Sequence, residues 1–232
     1  MGLIGVNFSI HREGFLFVGG AAVLTLVLAI FSSGLALVGL IITLYLAYFF
    51  RNPKRAIPAG SNLIVSPADG TVCSVVTEVP PAELRLGEEQ RYRVSIFLSL
   101  FNVHVNRIPV AGKVKSVAYH PGSFVNASLD KASVMNERNT VVIEMDGNAE
   151  KTMAFVQIAG MIGRRIVCDV HEGQEVGKGE ICGMIRFGSR CDVWLPVGSA
   201  PQVFVGQTTI AGETVLADTV AQGDTARSGD II

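Results

Sequence analysis

From Gly14 to Phe50 the chain carries no charged side chain, and from about residue 60 the pattern changes to short alternating segments separated by glycine. A single straight helix over the first run would be roughly 55 Å long at about 1.5 Å per residue. The hydrocarbon core of a bilayer asks for only about 30 Å. Ser32-Ser33-Gly34 interrupts the run near its middle with residues that favour a turn. The pattern therefore predicts two short spans, near 15–31 and 35–50, folded as a transmembrane helical hairpin. Arg12 precedes the run, and Arg51, Lys54 and Arg55 follow it. The positive-inside bias puts both flanks in the cytoplasm, which a hairpin satisfies and a single span does not. The run starts too late and is too long for a cleavable signal peptide, and it lacks a small-residue exit. A hairpin that dips without crossing, or one buried in a soluble core, is the alternative.

Beyond a stiff linker marked by Pro53 and Pro58, the periodicity is that of strands. Between Arg91 and Leu100, Tyr92, Val94, Ile96, Leu98 and Leu100 alternate with Arg91, Arg93, Ser95 and Ser99, and only Phe97 breaks the order. Thr140–Met145 and Thr152–Ile158 flank Asp146-Gly147-Asn148, which predicts a hairpin. No long 3.6-residue period follows residue 60. Two weak internal repeats accompany the strands. Gly70 to Val75 echoes Gly112 to Val117, and Gly173-Gln174 with Gly179-Glu180 echoes Gly206-Gln207 with Gly212-Glu213. The spacing of these glycine turns resembles the barrel-sandwich of biotinyl and lipoyl carrier domains, without their lysine attachment hairpin. The expected fold is mainly β: a membrane-anchoring segment over 1–55, then a β-rich barrel-sandwich-like domain over 56–232.

Composition narrows the function classes. Of the 232 residues 49% are hydrophobic and 17% charged, against about 25% charged in ordinary soluble proteins. That fits a membrane segment joined to one globular domain. A net charge of -1 gives no electrostatic footing for nucleic acid. Cys73, Cys168, Cys182 and Cys191 contain no Cys-x-x-Cys pair and predict buried thiols in a reducing compartment. No metal site is expected from them.

The chemistry-bearing feature is Gly188-Ser189. A serine can attack the carbonyl before it, and glycine leaves that carbonyl unshielded. Alone, the dipeptide reads as a turn. It stands, however, with Phe50-Arg51-Asn52-Pro53-Lys54-Arg55 at the membrane exit, Ser66-Pro67-Ala68-Asp69-Gly70 after the linker, and Phe101-Asn102-Val103-His104-Val105-Asn106-Arg107-Ile108-Pro109 after a strand. Together with Phe187-Gly188-Ser189-Arg190 these segments resemble, in order and over nearly the whole chain, the short form of the phosphatidylserine decarboxylase proenzymes. The resemblance implies self-cleavage at Gly188-Ser189 into a β chain (1–188) and an α chain (189–232), which stay together as a heterodimer. It implies that Ser189 becomes a pyruvoyl group, which forms a Schiff base with phosphatidylserine and releases phosphatidylethanolamine.

The resemblance gives His104 the part of the base that activates Ser189 and Asp69 that of the carboxylate that orients it, help that serine, a weak nucleophile, needs. Better-known members carry His-x-x-His where this chain has His104-Val105-Asn106-Arg107. Either His104 serves both cleavage and decarboxylation, or His120 contributes. His171 has a weaker claim, and His11 lies at the membrane edge. Arg107 and Arg190 suit a phosphate or carboxylate as well as they suit an ordinary surface. The bilayer is the expected partner, with the catalytic domain on the cytoplasmic side of the cell membrane. The rival readings are a membrane-tethered, lipoyl-like adaptor and a lysostaphin-like zinc endopeptidase. The second would need a His-x-His pair that is missing here.

Overall fold

The computed structural model describes residues 8–122, 135–146, 151–160 and 165–220. The chain divides into two compact units, Met1–Lys54 and Arg55–Ile232.

In the first unit a short strand, β1 (Phe8–Ile10), leads through a 3-10 turn into α1 (Phe15–Phe31). α2 (Ser33–Phe49) and β2 (Arg51–Pro53) follow. Ser32 alone separates the helices. Its backbone is extended, and its hydroxyl accepts the Gly34 N–H at 3.2 Å, capping α2. The turn thus falls where the sequence places it, and the second helix begins two residues earlier than expected. The helices meet through small side chains: Thr25 and Thr43 share a hydrogen bond of 3.1 Å. A Cβ at Gly39 would lie 2.7 Å from the Thr25 hydroxyl, so only glycine allows this approach. β1 pairs antiparallel with β2, Ile10 opposite Arg51, which brings the two ends of the helical pair together. The helical run Arg12–Phe31 is long and apolar enough to cross a membrane by length and composition. Its apolar side chains are largely bare, Leu16 and Ile30 being 82% and 81% exposed.

The second unit runs through β3 (Leu63–Val65), β4 (Gly70–Glu78), β5 (Arg91–Leu98), β6 (Val105–Arg107), β7 (Gly112–His120) and β8 (Arg138–Met145). It continues with β9 (Thr152–Ala159), β10 (Ile166–Cys168), β11 (Glu175–Val176), β12 (Ile181–Ile185), β13 (Ser189–Trp194), β14 (Thr208–Thr209) and β15 (Val215–Asp218). Among the described residues, eight of these strands form one antiparallel sheet in the order β11-β7-β8-β9-β13-β5-β4-β14. Two small sheets, β10-β12-β6 and β15-β3, accompany it. The main core joins one face of the large sheet (Ile96, Val141, Phe155, Val193) to Ile64, Cys182 and Leu216 of the small ones and to Ile108 just after β6. A second cluster, Leu84, Val142, Val156, Ile158 and Trp194 among it, lies on the opposite face.

This second cluster changes the expectation for Arg91–Leu100. The strand ends at Leu98, and its polar side is not solvated, since Arg91, Arg93 and Ser95 are buried. Arg93 is kept there by Glu78 at 2.6 Å and Asp192 at 3.5 Å, and Arg91 by the Thr152 and Leu86 carbonyls. The expected hairpin pairs β8 with β9, Met145 N–H reaching the Lys151 carbonyl at 3.1 Å, although 147–150 lie outside the described residues. The cysteines are free thiols. Cys182 and Cys191 are buried, and burial pushes both well up, whereas Cys73 is exposed, because it falls on the outward side of β4.

The weak repeats are real equivalences. β4 and β7 have matching burial patterns, and each slips register at the same place, between Val72 and Ser74 and between Val114 and Ser116. Val72 exchanges hydrogen bonds with Gly206 and Gln207 as Val114 does with Gly173 and Gln174. The large sheet reads the same from either end: β11 answers β14, β7 answers β4, β8 answers β5. Its centre is the β9–β13 pair, where Phe155 faces Val193.

Candidate active site

Ser189 is the first residue of β13, held between Leu98 of β5 and Ala159 of β9. Alternation along the strand sends Cys191 and Val193 into the main core and Trp194 to the opposite cluster, so Ser189 points to the core side. It is completely buried, and its hydroxyl has no hydrogen-bond partner among the described residues. A buried hydroxyl without a partner costs on the order of 1–3 kcal/mol. Arg186-Phe187-Gly188 link β12 to this strand, with φ of +56° at Phe187 and +67° at Gly188. The left-handed region is open to glycine but costs a residue with a Cβ roughly 1–2 kcal/mol. Strain and an unmet polar atom therefore coincide at the Gly188-Ser189 bond.

His104, fully buried just before β6, meets the same bond. The Gly188 N–H donates to its Nε2 at 3.2 Å, and its Nδ1 lies 3.1 Å from the Asn102 carbonyl oxygen. These contacts select the tautomer with hydrogen on Nδ1 and an unprotonated Nε2. Asn102 is fixed in turn, its Oδ1 accepting both the N–H and the hydroxyl of Ser99, at 2.8 and 2.7 Å. β6 is anchored by Ile185 N–H to the His104 carbonyl at 3.2 Å. A buried amide chain adds to this: Asn139 to Gln157 at 3.0 Å, Gln157 to Asn106 at 2.9 Å, and Asn106 to the Pro67 carbonyl at 3.4 Å.

Asp69 is placed differently from an orienting carboxylate on His104. Both of its oxygens accept from Arg55 at 2.8 Å, and Oδ1 also accepts the Ala211 N–H at 2.8 Å. It belongs to the Arg107 end of β6, where its charge offsets part of the fall in the Arg107 guanidinium's pKa. Burial first, and Arg55 second, lower that pKa. Three residue steps of extended chain take His104 to Arg107, about 10 Å. The imidazole is thus oriented by a backbone carbonyl, and the carboxylate is engaged by arginine.

The remaining candidates lie elsewhere. His120, Arg138, Ile158 and Arg190 follow one another across neighbouring strands, on the face opposite Ser189. His120 therefore stands three strand spacings, about 14 Å, from β13, with its Nε2 3.9 Å from Glu83. Arg190 is fully buried and paired with Asp192 at 2.8 Å. A cavity of about 390 Å³ opens on that same face between Glu78, Leu84, Arg93, Arg138, Val156 and Trp194, and so does not receive the Ser189 hydroxyl. His171 sits in an exposed turn, its Nδ1 near the Glu172 carbonyl. His11 is buried at the start of the helical unit and accepts the Glu13 N–H. Among the described residues no group of three His, Cys, Asp or Glu side chains is arranged to hold a metal ion. Sequence reasoning missed Asn102 and Arg55, whose parts are set by contacts distant in sequence or made by backbone.

Residues 42–217 match the family model for phosphatidylserine decarboxylase. Proteins named phosphatidylserine decarboxylase proenzyme from Rickettsia bellii (strain OSU 85-389) and Rickettsia rickettsii (strain Sheila Smith) are each 54% identical to the chain over 203 residues. The alignments cover 88% of this chain and 87% of theirs. The protein of that name from Rickettsia akari (strain Hartford) is 53% identical over the same spans. A peptidase M23 structure from Pseudomonas aeruginosa overlaps 64% of this chain and 51% of its own at 20% identity and a TM-score of 0.30, too loosely to carry an argument. The match defines an enzyme of lipid decarboxylation. The chain belongs to the phosphatidylserine decarboxylase family.

Proposed function

We propose that the chain is a self-processing proenzyme that cuts itself at Gly188-Ser189 and then decarboxylates phosphatidylserine to phosphatidylethanolamine. The observation that carries this reading is the Ser189 hydroxyl, buried without a partner beside a strained Phe187-Gly188 turn whose amide rests on His104. The Ser189 Oγ attacks the Gly188 carbonyl carbon, and its proton passes to His104 Nε2 as that nitrogen releases the Gly188 N–H. Passing that proton to the Ser189 nitrogen lets the peptide bond break and leaves an ester between Gly188 and Oγ. Removal of the Ser189 α-hydrogen expels the Gly188 carboxylate, and water then replaces the nitrogen as ammonia. Residue 189 remains as a pyruvoyl group at the head of the α chain.

That group needs no separate cradle, because it is made from the buried serine itself. It supplies a carbonyl conjugated to the chain that binds the substrate's amine and accepts the electrons left as carbon dioxide departs. His104 is the one imidazole beside residue 189 among the described histidines, so it serves as proton carrier in both stages. Asp69 acts at one remove, holding Arg55 and the Ala211 amide and thereby bracing the far end of β6. Strands β13, β14 and β15 of the α chain pair with β5, β9, β4 and β3 of the β chain, which supports a lasting heterodimer. The two apolar helices anchor the enzyme as a hairpin in the cell membrane. Basic residues at both flanks support a catalytic domain on the cytoplasmic side.

Denaturing mass spectrometry of the purified wild type beside Ser189→Ala tests the reading. The wild type is expected to give two chains meeting at Gly188/Ser189, the smaller blocked by a pyruvoyl group, and the variant one whole chain. A wild type that stays whole after reconstitution into lipid favours the membrane-tethered adaptor instead.

A further inference from the structure

Gly160 follows β9 and lies against the peptide unit at which the proposed cleavage occurs. A Cβ built on Gly160 would fall 1.8 Å from the Gly188 carbonyl oxygen and 2.8 Å from its carbon. Any side chain at this position must displace one backbone or the other. Gly160 is absent from the positive-φ glycines, so the position demands space and not a left-handed conformation. The end of β9 has little freedom to yield. Ala159, the cross-strand partner of Ser189, donates its N–H to the Glu137 carbonyl at 2.9 Å, and its carbonyl accepts from the buried Asn136 side chain at 2.8 Å. The Gly188 unit is thus held twice: its amide by His104, its carbonyl against the bare Cα of Gly160.

We propose that Gly160 is a positioning residue for self-cleavage, setting the direction of the Gly188 carbonyl relative to the Ser189 hydroxyl. The inference rests on the self-processing reading above and names a residue that reading does not require. The Gly160 hydrogen that a side chain would replace points at the oxygen on which negative charge develops during attack. A C–H···O contact of this kind is weak. Its value lies in fixing geometry, because a 1 Å misplacement of reacting groups costs about a hundredfold in rate.

The test compares full-length wild type, Ser189→Ala, Gly160→Ala and Gly112→Ala in lipid. Gly112 is the control: its Cβ would lie 2.1 Å from the Glu144 carbonyl oxygen, a similar clash three strands from β13. Chain ratios by denaturing mass spectrometry report cleavage, hydroxylamine reports any ester, and urea unfolding reports the fold. Gly160→Ala is expected to lose about as much stability as Gly112→Ala while remaining folded, to stay whole with cleavage slowed at least about a hundredfold, and to give no ester. Gly112→Ala is expected to lose stability yet be cut. A folded Gly160→Ala that cuts at close to the wild-type rate overturns the proposal. So does one that accumulates ester, because the glycine would then act after the attack. An unfolded Gly160→Ala beside a folded Gly112→Ala makes the glycine structural and overturns it as well. A wild type that is never cut removes the self-processing reading itself, a failure seen before any variant is considered.

Discussion

At Ser189 a reactive atom is exposed to attack chemistry by being denied everything else. Its buried hydroxyl has no hydrogen-bonding neighbour among the described residues, and it is covalently next to the Gly188 carbonyl. A carbonyl on His104 Nδ1 leaves Nε2 as the acceptor, which holds the Gly188 N–H. His104→Gln is expected to slow cleavage by about 10²–10⁴-fold, the usual contribution of a positioned general base. Asp69→Asn keeps an oxygen for Arg55 and Ala211 and is expected to slow it far less. The fraction of whole chain against time, read by denaturing mass spectrometry on both variants, checks the order. The serine and the histidine that meet at the Gly188-Ser189 bond were candidates from motif resemblance alone, as was the aspartate that lies apart from them. Their mutual placement was not legible. Nothing in Ser66 to Gly70 announces that Asp69 would turn to Arg55, and nothing near Phe187 announces a left-handed bulky residue. Both follow from how separate strands meet.

Among the elements, α1 and β9 were legible almost to the residue, because Ser32-Ser33-Gly34 follows the one and Asp146-Gly147-Asn148 precedes the other in the sequence. β5 was legible in type and not in surroundings: its alternation says nothing of what covers Arg91 and Arg93, which are buried, Arg91 reaching the Leu86 carbonyl just beyond the turn Ala82–Leu84. That turn is fastened to β8 by Glu83, whose oxygens receive Arg138 at 2.9 and 2.7 Å. Arg138 holds the Glu83 carboxyl below its usual range, first by hydrogen bonding and, against a smaller upward push from burial, also by charge. The unfolded chain therefore binds this proton more readily. The stabilisation is present at neutral pH and is lost as pH falls through the lowered value. Glu83→Gln is expected to cost roughly 0.2–1 kcal/mol at pH 7, solvent screening keeping it small. The difference from wild type is expected to vanish well below pH 4.5, the ordinary glutamate value. Urea unfolding at several pH values measures it.

On the scale of the whole molecule, the two weak glycine repeats were the visible trace of a sheet that reads alike from both ends. Their meaning was hidden because the matching strands lie 42 residues apart along the chain for Gly70 and Gly112, and 33 apart for Gly173 and Gly206. The proposed break between β12 and β13 falls within this sheet system, and among the described residues every strand after Gly188 lies beside strands before it. The two chains are expected to travel together through size-exclusion chromatography in mild detergent and to part only in denaturant. The placement of β13 between β5 and β9 has a further effect on the life history of the enzyme. Before the cut, that strand is delivered to its slot by its own chain, three residues from β12, and assembly is independent of concentration. Afterwards the same strand belongs to another molecule, and refilling the slot becomes a second-order encounter with two edges to satisfy at once. The proposed cut thus turns folding into a one-way event: a two-chain enzyme, once melted, is left without the tether that built it.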